Sequence, residues 1–312
     1  MRILFTGASS FTGFWFVREL ARAGHEIVAT FRRPLDAYPD EVRRARIALL
    51  APMCQPVLGV EFGDESFLAL LKGGPGFDVL CHHAAEVTNY NSPAFDVAGA
   101  LASNTRNVAA VTEALAARGC CRLVLTGSVF ENDEGAGSEG LPAFSPYGLS
   151  KALTAQVFRY HAARCRLHLG KFVIANPFGP HEDPRFTAYL VRTWRAGEVA
   201  AVHTPLYVRD NIHVSLLAKA YVSFATALPA HAGASRLNPS GYPETQGAFA
   251  QRFAAEMRPR LGLPCKLELR EQMRFDEPRV RINTDVLDWE KLGWDEAAAW
   301  DELGRYYREH GA

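Results

Sequence analysis

Short apolar runs alternate with amphipathic stretches along the first half of the chain. The apolar runs are RILFTG, EIVATF, FDVLCHHAA, CRLVLTGS and KFVIANP, starting at residues 2, 26, 77, 121 and 171. Helical spacing of apolar residues is seen in FTGFWFVRELARAG, NTRNVAAVTEALAARG and YGLSKALTAQVFRYHAARC, starting at residues 11, 104 and 147. Strands that alternate with helices predict an α/β fold whose parallel sheet is covered by helices on both faces.

The rhythm changes after Pro177. The polar segment GPHEDPR follows, then the helical pattern FTAYLVRTWRAG, the strand pattern CKLELRE and a terminal helix pattern, AAAWDELGRYYREH. No Gly/Ser-rich or Pro-rich linker separates this region from the first. The sequence therefore predicts a main domain of residues 1–177 plus roughly 205–238, and a smaller lobe of roughly 178–204 plus 239–312.

Composition excludes several classes of partner. The 312 residues are 48% hydrophobic, and 34 basic residues balance 34 acidic ones, so nothing favours nucleic acid or an anionic membrane surface. The six cysteines lack CxxC spacing, which argues against a zinc site or a disulfide framework and predicts no metal. No signal peptide is read at the N-terminus, and no apolar run reaches the ~20 residues that span a bilayer. We expect a cytoplasmic protein.

The segment TGASSFTG, residues 6–13, follows the first strand and opens the first helix. Backbone N–H groups in such a turn, with the positive end of the helix, suit a pyrophosphate. Gly7 allows the tight turn and Gly13 allows close packing of helix on strand, whereas Ser10 replaces the usual middle glycine. The turn predicts a dinucleotide site in the main domain, contributed by Gly7, Ser9, Ser10, Phe11, Thr12 and Gly13.

The segment SPYGLSKA carries a second pattern. Tyr147 and Lys151 are four residues apart, so a helix places them on one face, where an ammonium lowers the pKa of a phenol. Ser128 ends the strand RLVLTGS, and ligands bind at the carboxyl ends of such strands. Together the three side chains suit proton transfer at a carbonyl or alcohol beside a cofactor that moves a hydride.

With these motifs in view, the sequence resembles an extended short-chain dehydrogenase/reductase, of the nucleotide-sugar epimerase/dehydratase/reductase group. TGASSFTG resembles the family's first turn, DVLCHHAA its "DvViHlAA" strand, and Tyr147 with Lys151 its YxxxK pair. Gly63 and Asp64 resemble the pair whose aspartate meets the adenine. NPFGPHED resembles the "NvyGP" loop, YVRDNIHVSLLAKAY the "RDfvhVdDla.A" segment, and DWEKLGWDEAAAW the closing "K…LGW.P".

The resemblance implies a Rossmann-type doubly wound sheet with a smaller C-terminal substrate-binding lobe, and it implies roles for single residues. Tyr147 would be the general acid/base, Lys151 would lower its pKa and bind the nicotinamide ribose, and Ser128 would bind the substrate oxygen. Further cofactor contacts would come from Asp64, Ala84, Ala85, Asn104 and Pro177. Substrate contacts would come from Thr88, Phe130, Asn176, His181 and Arg209. Relatives commonly form homodimers through the helices that begin near Asn104 and Tyr147.

Departures from the family patterns bear on the reaction. Sugar 4,6-dehydratases and related decarboxylases carry an acid directly after the catalytic Ser/Thr, where this chain has Val129 and then Phe130. NPFGPHEDPRF resembles the loop of GDP-fucose synthase, including His181, but that enzyme's epimerising cysteine is replaced by Phe130. Reduction of a 4-keto group and 4-epimerisation remain as candidate reactions, because both need only Ser, Tyr, Lys and a cofactor.

The second strand bears on the cofactor. In HEIVATFRRP, Phe31 stands where a relative that binds NAD has an aspartate, and Arg32 and Arg33 follow. A guanidinium binds a 2′-phosphate that an aspartate would repel. The sequence thus favours NADP(H), with NAD(H) as the alternative.

The leading hypothesis for the function is NADPH-dependent reduction of a nucleotide-linked 4-keto-6-deoxy sugar. The alternatives are an NAD-dependent nucleotide-sugar 4-epimerase, a non-catalytic redox sensor and a reductase of non-sugar carbonyls.

Overall fold

The structure is a computed structural model that describes residues 1–34 and 37–310. The chain folds into two compact units. The first contains residues 1–134, 142–174 and 218–238, and the second contains residues 135–141, 175–217 and 239–312. These units part near residues 175 and 218, whereas the sequence analysis assigned residues 205–238 to the main domain as one segment. The functional domain boundaries stay a prediction.

The two units together contain the following strands and helices, numbered in chain order. The strands are β1 (Arg2–Thr6), β2 (Glu26–Phe31), β3 (Gln55–Leu58), β4 (Val79–His82), β5 (Arg122–Ser128), β6 (Ala136–Gly137), β7 (His168–Ile174), β8 (Asn176–Phe178), β9 (Ala200–Val202), β10 (Val208–His213), β11 (Gly233–Leu237), β12 (Pro239–Ser240), β13 (Tyr242–Thr245), β14 (Leu267–Leu269), β15 (Val280–Ile282) and β16 (Asp285–Val286). The helices are α1 (Phe11–Arg22), α2 (Glu41–Leu50), α3 (Glu65–Lys72), α4 (Val97–Asn104), α5 (Val108–Ala117), α6 (Pro146–Arg164), α7 (Phe186–Arg195), α8 (Val214–Ala227), α9 (Gln246–Leu261) and α10 (Glu296–His310).

The first unit is built on a seven-stranded sheet in the order β11-β7-β5-β4-β1-β2-β3, and every neighbouring pair is parallel. The order reverses between β1 and β4, so the carboxyl ends of these strands flank the crevice where ligands bind in such sheets. The predicted Rossmann-type α/β fold is confirmed.

Apolar side chains at helical spacing pack the helices against the sheet. Leu80 and Leu123 of the central strands pack with Phe67, Val111 and Phe158 from three helices, and all five are buried. The central strands β1, β4 and β5 are buried on both faces because helices cover both.

The pattern NTRNVAAVTEALAARG, which starts at Asn104, predicts a helix, and α5 lies within it, whereas the separate helix α4 before it was not predicted. Helix α4 ends at Asn104 and α5 begins at Val108, with Asn107 at φ 49° between them. Asparagine tolerates this left-handed conformation, and its Nδ2 donates to the Gly63 carbonyl at 2.7 Å. A Cβ on Gly63 would lie 1.9 Å from the Arg106 carbonyl oxygen, so this break packs directly against the turn after β3.

The second unit holds a sheet in the order β13-β10-β15-β6, with β8 also paired to β10, and two small two-stranded sheets. Its core is aromatic, with Phe178, Trp194, Phe253, Trp300 and Tyr307 all buried. Across the described ranges, 1–34 and 37–310, no helix combines the length and apolarity needed to span a membrane.

Candidate functional site

The turn between β1 and α1 leaves no room for side chains at its two glycines. Gly7 has φ +83°, and a Cβ there would lie 2.7 Å from the Ala84 nitrogen at the end of β4. A Cβ on Gly13 would lie 2.2 Å from the Gly7 carbonyl oxygen. Both glycines are therefore required by close backbone packing, as the sequence analysis expected for this turn.

Ser10 is the N-cap of α1. Its Oγ donates to the Gly7 carbonyl at 2.9 Å and accepts from the Gly13 N–H at 3.1 Å. The next two backbone N–H groups, of Phe11 and Thr12, have no carbonyl within the helix to bind. Such N–H groups at a helix start suit a phosphate, so the turn and the predicted Ser9–Gly13 segment fit a dinucleotide.

The end of β2 carries no acidic residue among the described residues, but an acidic residue follows the neighbouring strand β3. Phe31 is buried, whereas Arg32 and Arg33 are exposed. The Arg32 guanidinium lies 3.6 Å from a carboxylate oxygen of Glu61, just after β3, and Arg106 lies 3.4 Å from the other. Glu61 was missed by the sequence analysis, because its closeness to Arg32 follows from strand order and not from spacing.

Asp64 is the N-cap of α3. Its carboxylate accepts from the Phe67 N–H and the Ser66 hydroxyl, both at 2.7 Å, and from the Glu61 N–H at 3.0 Å. Although burial opposes the effect, these hydrogen bonds lower the pKa of Asp64. The carboxylate predicted to meet an adenine is thus engaged by its own helix.

Asn104 hydrogen-bonds to the backbone of the segment after β4. Its Oδ1 accepts from the Glu86 N–H at 2.8 Å, and its Nδ2 lies 3.4 Å from Thr154 Oγ1 on α6. Ala84 and Ala85 are half-buried at the start of this segment, and Thr88 is exposed with its N–H bound to Glu86. These predicted residues lie together at the carboxyl edge of the sheet.

Ser128, Tyr147 and Lys151 belong to two elements that pack closely in the first unit. Ser145 caps α6, and a Cβ on Gly148, next to Tyr147, would lie 2.1 Å from the Phe130 carbonyl, two residues after Ser128. The buried Lys151 Nζ donates to the carbonyl of Thr126 on β5 at 2.6 Å. Burial lowers the Lys151 pKa to about 8, so the ammonium form still predominates at neutral pH.

A buried ionic network lies behind Ser128. Glu131 accepts from the Ser128 N–H at 2.7 Å and from Lys171 Nζ at 2.5 Å. Lys171 also donates to Glu134 at 2.7 Å, and Glu134 accepts from Asn238 at 2.8 Å. Glu131 is fully buried, so its carboxylate holds the β5 terminus and is not presented to a substrate. The sequence analysis did not identify this network.

Aromatic rings surround Tyr147. The ring centroids of Tyr90, Phe95 and Phe130 lie 5.5, 5.9 and 6.4 Å from that of Tyr147, and Phe144 lies 4.6 Å from Phe130. We call these four neighbouring rings the aromatic wall. The ring of Tyr147 therefore packs within an aromatic cluster.

The remaining predicted substrate residues lie in the second unit. Asn176 and Pro177 are on β8, and Asn176 pairs with Asn211 of β10. The Arg209 guanidinium donates to three backbone carbonyls, those of Val208 and Pro278 at 3.0 Å each and that of Arg279 at 3.4 Å. It also pairs with Glu277 at 2.9 Å, and its side chain is 9% exposed. In this arrangement Arg209 is held within its own unit.

His181 adopts φ +67°, and its ring centroid lies 4.7 Å from that of Tyr306 on α10. The second unit also contains a cleft of about 370 Å³. The cleft is lined by Phe186, Tyr189, Ala201, Val202, His203, Thr204 and Gln246. Within residues 1–34 and 37–310, no three His, Cys, Asp or Glu side chains are grouped to hold a metal ion.

Comparison with known families identifies the chain. The model of the NAD dependent epimerase/dehydratase family matches residues 3–235, about three quarters of the sequence. The protein belongs to this family. This family of NAD-dependent epimerases and dehydratases agrees with the short-chain dehydrogenase/reductase resemblance found in the motifs. A comparison with curated protein sequences finds no match.

Solved structures share the fold of this family member over its whole length. MoeE5 in complex with UDP-glucose and NAD is 22% identical, with both chains covered to 100% and a TM-score of 0.70. A UDP-glucuronic acid 4-epimerase from Bacillus cereus, with NAD, is 15% identical, with 99% of each chain covered and a TM-score of 0.76. The dTDP-glucose 4,6-dehydratase DesIV from Streptomyces venezuelae, with NAD, is 20% identical, covering 99% of this chain and 98% of that one, with a TM-score of 0.70.

Proposed function

We propose that this protein is an NADPH-dependent reductase that converts the 4-keto group of a nucleotide-linked 6-deoxy sugar to an alcohol. The observation that carries the proposal is the packing of α6, with Tyr147 and Lys151, against the end of β5, with Ser128, in the sheet that also bears the glycine turn. The bound cofactor supplies a hydride to C4. Everything else in the reaction is binding, orientation and proton transfer by the protein.

Tyr147 donates its phenolic proton to the C4 oxygen as the carbonyl carbon is reduced, so one hydride and one proton convert C=O to CH–OH. Ser128 donates a hydrogen bond to the same oxygen. Lys151, one helical turn from Tyr147, stays protonated near neutral pH and stabilises the phenolate left behind. A proton from solvent then restores the phenol.

The absence of an available acid next to Ser128 supports reduction over dehydration. Val129 is buried and donates its N–H to the Ile174 carbonyl at 2.9 Å. Glu131, the nearest carboxylate in sequence, is fully buried and bound to Lys171. A dehydratase needs a base for the C5 proton, and neither position offers one.

The aromatic wall supports a 6-deoxy sugar. A methyl group at C6 can pack on Tyr90, Phe95 and Phe130, whereas a carboxylate there would lose hydration against apolar rings. Glu86, close in sequence to Tyr90, would add repulsion.

Arg32 and Arg33 support NADPH, since both are exposed just after the buried Phe31. A 2′-phosphate would take Arg32 from Glu61, with Arg33 as a second cation. The Arg32–Glu61 pair also favours a second candidate, an NAD-dependent nucleotide-sugar 4-epimerase, because it keeps a carboxylate beside the exposed arginines.

The test is to mix the protein with NADPH and 4-keto-6-deoxy sugars linked to GDP, dTDP, UDP or CDP, and to follow NADPH absorbance. We expect NADPH consumption with at least one of them and a higher kcat/KM for NADPH than for NADH. Tyr147→Phe should abolish turnover while leaving dinucleotide binding unchanged, and Tyr160→Phe, on the exposed face of the same helix, should match wild type. No consumption with any substrate, together with NAD released on denaturation and interconversion of C4 epimers, would establish the epimerase instead.

We also propose a homodimer through α6. Leu149, Leu153 and Tyr160 are exposed to 43%, 38% and 59%, and their spacing places them on one face of that helix. Wild type should elute at twice the chain mass by light scattering, and Leu153→Glu should yield a monomer. A monomeric wild type would refute the assignment.

A further inference from the structure

His83 links the glycine turn to the catalytic strand. Its Nε2 lies 3.0 Å from Ser10 Oγ and 3.1 Å from Thr12 Oγ1, both at the start of α1. Its Nδ1 lies 2.9 Å from the Oγ1 of Thr126 on β5. The side chain at position 83 is therefore hydrogen-bonded on both ring nitrogens, once to each side of the crevice.

The hydrogen positions follow from the other bonds of Ser10. Its hydroxyl proton is directed at the Gly7 carbonyl, and one lone pair accepts from the Gly13 N–H. Only a lone pair is left for His83, so Nε2 carries the hydrogen and Nδ1 accepts from the Thr126 hydroxyl. Burial, followed by the nearby Lys151 charge, lowers the His83 pKa to about 3, so the ring stays neutral and keeps this tautomer.

Ser10 stands where such turns carry a glycine that lets the backbone approach the pyrophosphate. A serine adds a Cβ and a hydroxyl with three staggered rotamers. In the rotamer observed here, the hydroxyl is turned back onto Gly7, Gly13 and His83. The strand pattern that DVLCHHAA resembles has an apolar residue at position 83. Ser10 and His83 thus depart from the usual residues together, and they contact each other.

We propose that His83 is a positioning residue that holds the Ser10 hydroxyl turned away from the cofactor phosphates, so that a turn with serine at its middle position still accepts a dinucleotide. This inference rests on the proposed dinucleotide site. It also predicts that position 83 needs a donor only when position 10 carries a side chain. A merely structural histidine would matter equally in both cases.

A double-mutant cycle tests this coupling. Dissociation constants for NADPH and NADH are measured by titration calorimetry for wild type, Ser10→Gly, His83→Leu and the double variant, with circular dichroism of each. His83→Leu should weaken binding about five- to tenfold, the effect of one lost hydrogen bond. Ser10→Gly removes the side chain that His83 would hold, so its dissociation constants are the reference for the double variant. The double variant should bind like Ser10→Gly.

Two further measurements keep the test decisive if His83→Leu does not fold. His83→Gln, whose amide nitrogen reaches the place of Nε2, should bind like wild type. The ¹⁵N imidazole shifts of His83 in the wild-type protein should report a neutral ring with hydrogen on Nε2 from pH 5 to 8. A hydrogen on Nδ1, or a ring that becomes charged in that range, overturns the inference.

The outcomes separate this inference from the proposed function. Equal losses on His83→Leu in the wild-type and Ser10→Gly backgrounds overturn the positioning role while leaving the dinucleotide site intact. Wild-type protein that binds neither NADPH nor NADH overturns both. If His83→Leu weakens dinucleotide binding only in the protein that retains Ser10, and the double variant binds like Ser10→Gly, the positioning role is supported.

Discussion

Glu182 lies inside the second unit, and replacing it with glutamine should change how stability depends on pH. Its Oε2 accepts from the Gly179 N–H at 3.2 Å, while Oε1 faces the hydroxyls of Thr187 and, at 3.5 Å, Tyr307. Burial raises the Glu182 pKa to about 8, even though these donors and Arg185 oppose the shift. The neutral carboxyl is thus the form that the folded protein favours near neutral pH.

The sign of the effect follows from linkage between protonation and folding. Between the ordinary pKa of 4.5 and about 8, the folded protein binds one more proton than the unfolded chain. Stability from this group is complete below pH 4.5 and declines by about 1.4 kcal/mol per pH unit as pH rises to 8, or about 5 kcal/mol in total. Glutamine can donate to the two hydroxyls and accept from Gly179 at every pH, so Glu182→Gln should not show this decline.

Urea denaturation at pH 5, 6, 7 and 8 measures the free energy of unfolding for wild type, Glu182→Gln and the exposed control Glu198→Gln. From pH 5 to 8, wild type and the control should lose about 4 kcal/mol relative to Glu182→Gln. Parallel pH profiles for wild type and Glu182→Gln would refute the reasoning, since they would mean that Glu182 is ionised in the folded protein throughout this range.

Four further results are expected. Lys171→Met should lower the free energy of unfolding by about 3–5 kcal/mol in urea denaturation, because two buried carboxylates lose their common cation. Gly13→Ala should abolish NADPH binding in calorimetry, because the new Cβ would lie 2.2 Å from a backbone oxygen of the turn. Asp64→Ala should lower the free energy of unfolding by about 1 kcal/mol in urea denaturation through its lost helix cap. Glu61→Gln should alter the ratio of NADPH to NADH affinity in calorimetry.

The parallel sheet and the turn were predictable because their signals are local. Short apolar runs mark five strands of the sheet without reference to distant residues, whereas the edge strands β3 and β11, which are largely exposed, were not predicted. The signal of Tyr147 and Lys151 is also local, since their spacing alone puts them on one helix face. The helix predicted in the pattern that starts at residue 104 is present as α5, but the separate helix α4 was not predicted. The two helices are divided at Asn107, whose left-handed conformation accompanies a hydrogen bond to Gly63, a residue remote in sequence.

Features that depend on pairs remote in sequence were not predictable from one chain. Glu131 and Lys171 are 40 residues apart, and each alone has the pattern of an ordinary charged residue near a strand. Arg32 was interpreted without Glu61, which reaches it only because β3 lies next to β2. The helix cap formed by Asp64 was not predicted either, and the contact of Asp64 with an adenine stays a prediction.

Both buried polar networks of the first unit end on the last three residues of β5. Thr126 contacts His83 through its side chain and Lys151 through its carbonyl, and Ser128 is held by Glu131 through its N–H. Glu131 raises the Lys151 pKa and Lys171 lowers it, while burial has the larger effect. Because Glu131 and Lys171 shift the Lys151 pKa in opposite directions, removing either charge should change this pKa. When both charges are present, burial determines the direction of the shift. The strand that carries the serine is therefore tied both to the cofactor turn and to the charge on the lysine, which explains why so many polar groups are buried at its end.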